Sequence, residues 1–214
     1  MPWLLRKYYS SCIWKGKEDN SIYLTFDDGP HPEITEFVLD QLFMHQAKAS
    51  FFCIGMNVQA FPSTYSRIID KGHTIGNHTY SHLNGWKTKD EVYLNDIAEA
   101  KKYIDSEFFR PPYGRITPFQ LRQLKAPRYN LTCVMWSLLT ADFDEQLSPE
   151  RCLEKLLLSI RGGDIVVFHD SVKAEKNLRF VLPRLLEFCA EKKLILQSIA
   201  GLISRAGVET PARF

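Results

Sequence analysis

The chain has 214 residues, 45% of them apolar and 24% charged, with a formal net charge of +2. That length suits one domain with a sizeable core, and the near-neutral balance, without a basic patch interleaved with aromatics, excludes a nucleic-acid-binding class. Its longest apolar runs, such as CVMW at 133–136, are far below the roughly 20 residues of a membrane span, so no bilayer crossing is expected.

The opening MPWLLRKYYSSCIW carries only a brief apolar patch ahead of Arg6 and Lys7, the wrong order and length for a secretory signal. As written, the chain is expected to begin as a cytoplasmic protein or to have been trimmed, with residues 1–20 as an N-terminal extension. The first strand-like run, SIYLTF, ends in Asp27 and Asp28 before a Gly-Pro turn. Adjacent carboxylates repel, so a pair there needs a nearby cation or proton transfer to justify it. ASFFCI and HTIGN read as the second and third strands, and the third runs on into GNHTYSH with His78 and His82. Thr88 with Glu91, and Thr117 with Gln120 and Pro118, read as capping boxes that open helices. Between them EFFR forms a fourth strand ahead of PPYG, and the double proline fixes an extended, rigid chain at Arg110, Pro112 and the amide of Tyr113. Rigid donors of that kind suit an oxyanion.

NLTCVMWSLL reads as one fifth strand, followed by Asp142, Phe143 and Asp144, and Ser148-Pro149 opens another helix. DIVVFH is the sixth strand and ends in His169, while LILQSI is the seventh. Pro183 implies that the helix before LILQSI is kinked or starts later than its pattern suggests. Seven strands alternating with helices, without a repeat or linker, imply a single-domain α/β fold, a distorted (β/α) barrel one unit short of eight. In such a fold the working side chains sit where strands end, which is where the polar residues above fall.

An H-x-x-x-H spacing brings two imidazoles to one face if the chain makes a helical turn there. With one carboxylate from the Asp pair they form a three-ligand site that leaves positions open for water and substrate, as catalytic zinc requires, while the other Asp handles a proton. His31, His45 and His73 read as turn, helix-surface and supporting residues. The five cysteines include no C-x-x-C pair, so neither a disulfide framework nor a thiolate metal site is indicated, and Cys53 and Cys133 in apolar runs read as small buried hydrophobes.

TFDDGP, HTYSH, RPPYG, the Asp of TADFD, and VVFHD, in this order from about Ile22 to Ser198, resemble the five motifs of the polysaccharide deacetylases of carbohydrate esterase family 4, the NodB-homology domain. The resemblance implies a distorted (β/α) barrel that removes N- or O-acetyl groups from a polymer such as peptidoglycan or chitin oligomers. It also implies a divalent metal, with zinc the first expectation. By that resemblance Asp28, His78 and His82 are the ligands, Asp27 is the general base and the Tyr113 amide completes the oxyanion site. Arg110 then tethers Asp27, His169 is the general acid and Asp142 orients it; Tyr113, Pro112 and Phe143 are the expected substrate contacts. The fourth motif departs from the family's D-x-x-D-W, because Leu139 stands for its first Asp and Phe143 for its Trp. The alternatives are a non-haem iron oxygenase, whose two-His, one-carboxylate face is the same, an inactive carbohydrate-binding module, and a small-molecule amidase or esterase. A carbohydrate polymer or oligomer is the expected partner, and no protein partner is evident.

Overall fold

Every residue of Ser21–Asp27 (β1) is buried, as expected of a strand covered on both faces. In the computed structural model, which describes residues 9–16 and 20–204, β1 is the hub of a parallel sheet. The chain continues through Ile34–Met44 (α1), Ser50–Cys53 (β2), Gly55–Ala60 (α2), Pro62–Asp70 (α3), Thr74–Asn77 (β3) and Asp90–Ala100 (α4). Then come Phe108–Phe109 (β4), a 3₁₀ turn at Pro112–Gly114, Pro118–Gln123 (α5), Thr132–Cys133 (β5) and Leu138–Leu139 (β6). Pro149–Ser159 (α6), Ile165–His169 (β7), Glu175–Glu191 (α7), Ile195–Gln197 (β8) and Ala200–Ser204 (α8) complete it. The strand order is β5-β4-β3-β2-β1-β7-β6, and β8 pairs with the first half of β1.

Side chains on β1 alternate between two cores, as the period of a strand requires. Ile22, Leu24 and Phe26 join the cluster that contains Val38, Leu42, Leu182 and Leu185 of the surrounding helices. Tyr23 faces the other way, with Phe52, Phe109, Val134 and Val167. The barrel interior is therefore filled, and it is the inner face that carries the chemistry at the strand ends.

The distorted barrel expected from the sequence is what the chain adopts, with three local differences. NLTCVMWSLL is two strands: residues 134–137 lie between them and carry the chain from β5 at one edge to β6 at the other, so the parallel strands number eight. The helix α4 starts at Asp90 behind Lys89, without a side-chain cap from Thr88. Its first-turn Asp90 instead accepts from Gln120 Nε2 and Thr117 Oγ1, a tertiary bond that local pattern does not encode. Finally, α7 runs unbroken through Pro183, because packing of Leu178, Val181, Leu182, Leu185 and Leu186 into the core outweighs one lost backbone bond. The capping box at Thr117 and Gln120 and the Ser148 cap are present.

The apolar patch ahead of Arg6 and Lys7 lies outside the described residues. Within residues 9–16, Ile13 bridges Val134, and Tyr9, Cys12 and Trp14 are buried in the inner core. All five cysteines are free and buried. Among the described residues no helix is long and apolar enough to cross a membrane.

Candidate active site

The parallel register of β1 and β7 places Asp27 directly beside His169, although 141 residues separate them in sequence. Both are the last residues of their strands and share the parity of the inner face. Arg110, directly after β4, is fully buried and reaches Asp27 from the far side of the barrel, its Nη1 donating to Asp27 Oδ1 at 2.7 Å and to Thr25 Oγ1 at 2.7 Å. Its remaining nitrogens donate to the carbonyls of Val134 and Met135, and its plane lies 4.1 Å from the Phe52 ring centroid. A guanidinium so completely engaged cannot rotate, and it holds one Asp27 oxygen in a single direction.

Asp28 leaves the strand with φ 81° and faces the two histidines. Its Oδ1 lies 3.2 Å from His82 Nε2 and 3.7 Å from His78 Nε2, yet it is buried without the alignment of a hydrogen bond. His78 Nδ1 stands 2.7 Å from the carbonyl of Arg110. A carbonyl only accepts, so Nδ1 carries the hydrogen and the Nε2 lone pair is free to face Asp28. Burial pushes His78 down to about 4, which keeps this imidazole neutral at ordinary pH. For Asp28 burial acts upward, but the imidazoles of His82, His78 and His169 overcome it and hold the carboxyl below the usual range. Among the described residues, Asp28, His78 and His82 are the cluster whose ligand atoms all lie within 4.8 Å of one another. Two imidazoles, that of His78 neutral with its Nε2 lone pair free, and a carboxylate whose buried Oδ1 is unbonded fit a divalent cation.

The histidines meet differently from the sequence expectation. Residues 78–82 form a loop instead of a helical turn, with positive φ at Thr79 (64°) and His82 (57°), and the ring centroids still approach to 5.1 Å. Asp96 of α4 fixes that loop by accepting from the amides of Tyr80 and Ser81 and from the Ser81 hydroxyl. Asn57 donates to the Asp28 carbonyl at 2.7 Å.

Across the cleft, both oxygens of the buried Asp142 engage His169: Oδ1 lies 2.8 Å from Nδ1 and Oδ2 accepts from the backbone amide at 2.8 Å. Burial pulls this histidine down, but the hydrogen bond and charge of Asp142, with Asp27 and Asp28 adding to them, raise it to about 9. Two imidazoles in one cleft are thus driven apart, one neutral and one cationic. Asp144 lies in the turn after Asp142, where its side chain accepts from the Gln146 amide. Of the other histidines, His31 Nδ1 accepts from amides at the start of α1, His45 ends that helix, and His73 accepts from the Ala49 amide.

A cleft of about 530 Å³ is lined by Asp27, Asp28, His78, His82, Tyr113, Phe143 and His169, together with Trp136, Leu139, Val167 and Lys173. Tyr113 sits at φ 61° with its ring 4.7 Å from that of His82, and its backbone N–H has no acceptor among the described residues. Phe143 packs edge-on against His169 at 5.1 Å. Pro112, expected as a substrate contact, is instead buried and absent from the cleft lining: the 3₁₀ turn brings Tyr113 to the surface in its place.

Sequence reasoning missed Trp136, Lys173 and Asp170. Trp136 and Lys173 carry no local signal. Asp170 follows His169 directly, and its carboxylate accepts from the Gly29 amide at 3.0 Å and from Thr35 Oγ1 at 2.5 Å, pinning the turn that bears Asp27 and Asp28. Burial raises it to about 7.

The family model described as polysaccharide deacetylase matches residues 15–130. A peptidoglycan-N-acetylglucosamine deacetylase of Bacillus cereus is 37% identical over 156 residues, which cover 70% of this chain but only 56% of that protein. A chitooligosaccharide deacetylase of Azorhizobium caulinodans is 34% identical over 161 residues, 72% of this chain and 75% of its own length. Among solved structures, a peptidoglycan N-acetylglucosamine deacetylase in complex with 4-naphthalen-1-yl-N-oxidanyl-benzamide is similar with a TM-score of 0.85 at 30% identity, over 94% of this chain and 96% of that one.

Proposed function

Because the chain belongs to the polysaccharide deacetylase family, we propose that it hydrolyses the acetamido group of N-acetylated sugars in a glycan, with a divalent metal held by Asp28, His78 and His82. The observation that carries the reading is the convergence on one cleft of a carboxylate held by arginine, a metal-fitting triad, a free amide and a cationic histidine.

Amide hydrolysis needs a stronger nucleophile than neutral water, a home for the negative charge of the tetrahedral intermediate, and a proton for the departing nitrogen. Zinc, favoured by the donor set, would supply Lewis acidity toward the acetyl oxygen and toward a water molecule. Asp27 accepts the proton of the attacking water, and Arg110 keeps its carboxylate aimed. The Tyr113 N–H donates to the developing oxyanion. His169 delivers a proton to the sugar nitrogen, with Asp142 holding its Nδ1 so that Nε2 is the donor. Peptidoglycan or chitin-like oligomers are the substrate class, supported by what the named relatives act on and by a cleft wide enough for a sugar ring. The test is acetate release from N-acetylglucosamine oligomers and peptidoglycan fragments, by protein with and without its metal. Turnover should vanish on chelation and return with zinc. Acetate from none of these glycans, or full activity in a metal-free preparation, would overturn the reading.

A further inference from the structure

The cysteines are divided between the two cores. Cys53, Cys152 and Cys189 lie in the cluster packed against the helices, where the Cys53 and Cys152 thiols donate to the carbonyls of Phe51 and Thr140. Cys12 and Cys133 lie in the inner core, and they face each other although they are far apart in the chain. The segment that carries Cys12 runs along the edge of β5. The Ile13 N–H donates to the Cys133 carbonyl at 2.9 Å and the Ile13 carbonyl accepts from the Met135 amide at 2.7 Å, which makes Ile13 and Val134 partners in a parallel bridge. That register sets Cys12 opposite Cys133 with both side chains on one face. Neighbouring strands run about 4.8 Å apart, within the Cα separation of about 4.4–6.8 Å that a disulfide spans.

The Cys133 thiol is hydrogen-bonded to the Cys12 side chain; that bond and then burial raise it well above the usual thiol range, against the downward pull of the Arg110 guanidinium. The pair is buried but not sealed. Cys133 lines a hollow of about 410 Å³ whose other walls include Ser11, Lys125 and Asn130, all three exposed. The segment also rests on residues that matter to the cleft. Val134 and Met135 present their carbonyls to Arg110 Nε and Nη2 at 3.2 Å and 2.9 Å, and Arg110 in turn holds Asp27.

We propose that Cys12 and Cys133 are a covalent modification site for small disulfides, at which they close one intramolecular disulfide that fastens residues 9–16 to β5 and, through them, the carbonyls that hold Arg110. One cysteine thiolate attacks the small disulfide and releases a thiolate; the second attacks the mixed disulfide at the protein sulfur and releases the other. Two protein thiols are oxidised, one external disulfide is reduced to two thiols, and the two protons pass to those thiols. The cross-link can be followed without substrate, so its test does not rest on the deacetylase reading. Folded full chain with its metal is incubated with oxidised glutathione at about pH 8, where thiolate begins to form, then quenched in acid, alkylated in denaturant and mapped by peptide mass spectrometry without reductant. Cys12 and Cys133 should be recovered as one linked peptide pair, with Cys53, Cys152 and Cys189 still alkylated. Linkage should raise Tm by about 5–10 °C, as expected for a long closed loop, and should slow hydrogen exchange in the peptides that carry Ile13 and Met135. Cys12→Ala or Cys12→Ser, and likewise Cys133→Ala, should abolish the linked peptide and the rise in Tm. Both thiols left free or found as separate glutathione adducts, linkage only after unfolding in urea, or a linked form with unchanged Tm and exchange would overturn the proposal.

Discussion

Replacing Asp142 with Asn removes a charge from His169 and leaves the shape of the cleft intact. The pKa of about 9 is the outcome of burial pulling down and Asp142 pushing up, with weaker upward help from Asp27 and Asp28. Without Asp142, burial, the largest influence, is opposed only by that weaker help, and a fall even as far as the free imidazole value near 6.5 corresponds to roughly 3 kcal/mol of lost preference for the imidazolium. At pH 8 the protonated fraction would fall from about nine-tenths to about 3% or less, a rate loss of at least about 30-fold, and the loss would shrink as pH falls toward 6. The assay is acetate release from an N-acetylglucosamine oligomer between pH 5.5 and 9.5, with metal content measured at each pH. The sign follows for stability as well. A histidine raised in the folded state contributes stability below about 6.5 that is lost as pH rises through about 9, and Asp142→Asn should erase that slope. A loss of activity of equal size at pH 6 and pH 8 would refute the reasoning and leave Asp142 as a purely structural acceptor for the His169 amide.

Asp28→Ala, His78→Ala and His82→Ala should each lower metal content and activity together, while Asp27→Asn keeps the metal and abolishes turnover; metal loss in Asp27→Asn equal to that in Asp28→Ala would reverse the assignment. Asp170, raised to about 7 by burial, favours the native state most below the usual carboxylate pKa near 4, and that contribution is lost as pH rises through about 7. Asp170→Asn, whose amide can still accept from Gly29 and donate to Thr35, should therefore flatten stability between pH 4 and pH 8 and raise it at pH 8, by up to roughly 4 kcal/mol in chemical denaturation; a variant less stable at pH 8 would show that the ionised carboxylate is the form the fold prefers. Gly29→Ala would set a Cβ 2.1 Å from Asp170 Oδ2, an overpacking cost of about 2 kcal/mol, seen as a fall of roughly 4–8 °C in Tm; an unchanged Tm would mean the turn has slack that the packing denies.

The strand runs around Asp27, His78, Arg110 and His169 could be read from the chain because buried parallel strands are continuous apolar runs, and a polar residue at the end of one is conspicuous. The caps at Thr117 and Ser148 were legible for the same reason: they depend on residues three apart. The motif order also named the family before any distance was known. What local pattern could not supply is which strands are neighbours. Asp27 meets His169 through the β1–β7 register, Arg110 reaches Asp27 across the barrel, and NLTCVMWSLL divides because its middle must cross between the sheet's two edges. The same holds for the unforeseen contacts. Asp170 acts on Gly29 and Thr35, and Trp86 joins Tyr9 at the Ile116 carbonyl, over separations of 141, 135, 30 and 107 residues. Short-range chemistry is written in spacing, whereas contacts of that span exist only once the hydrophobic faces of the sheet have chosen their partners.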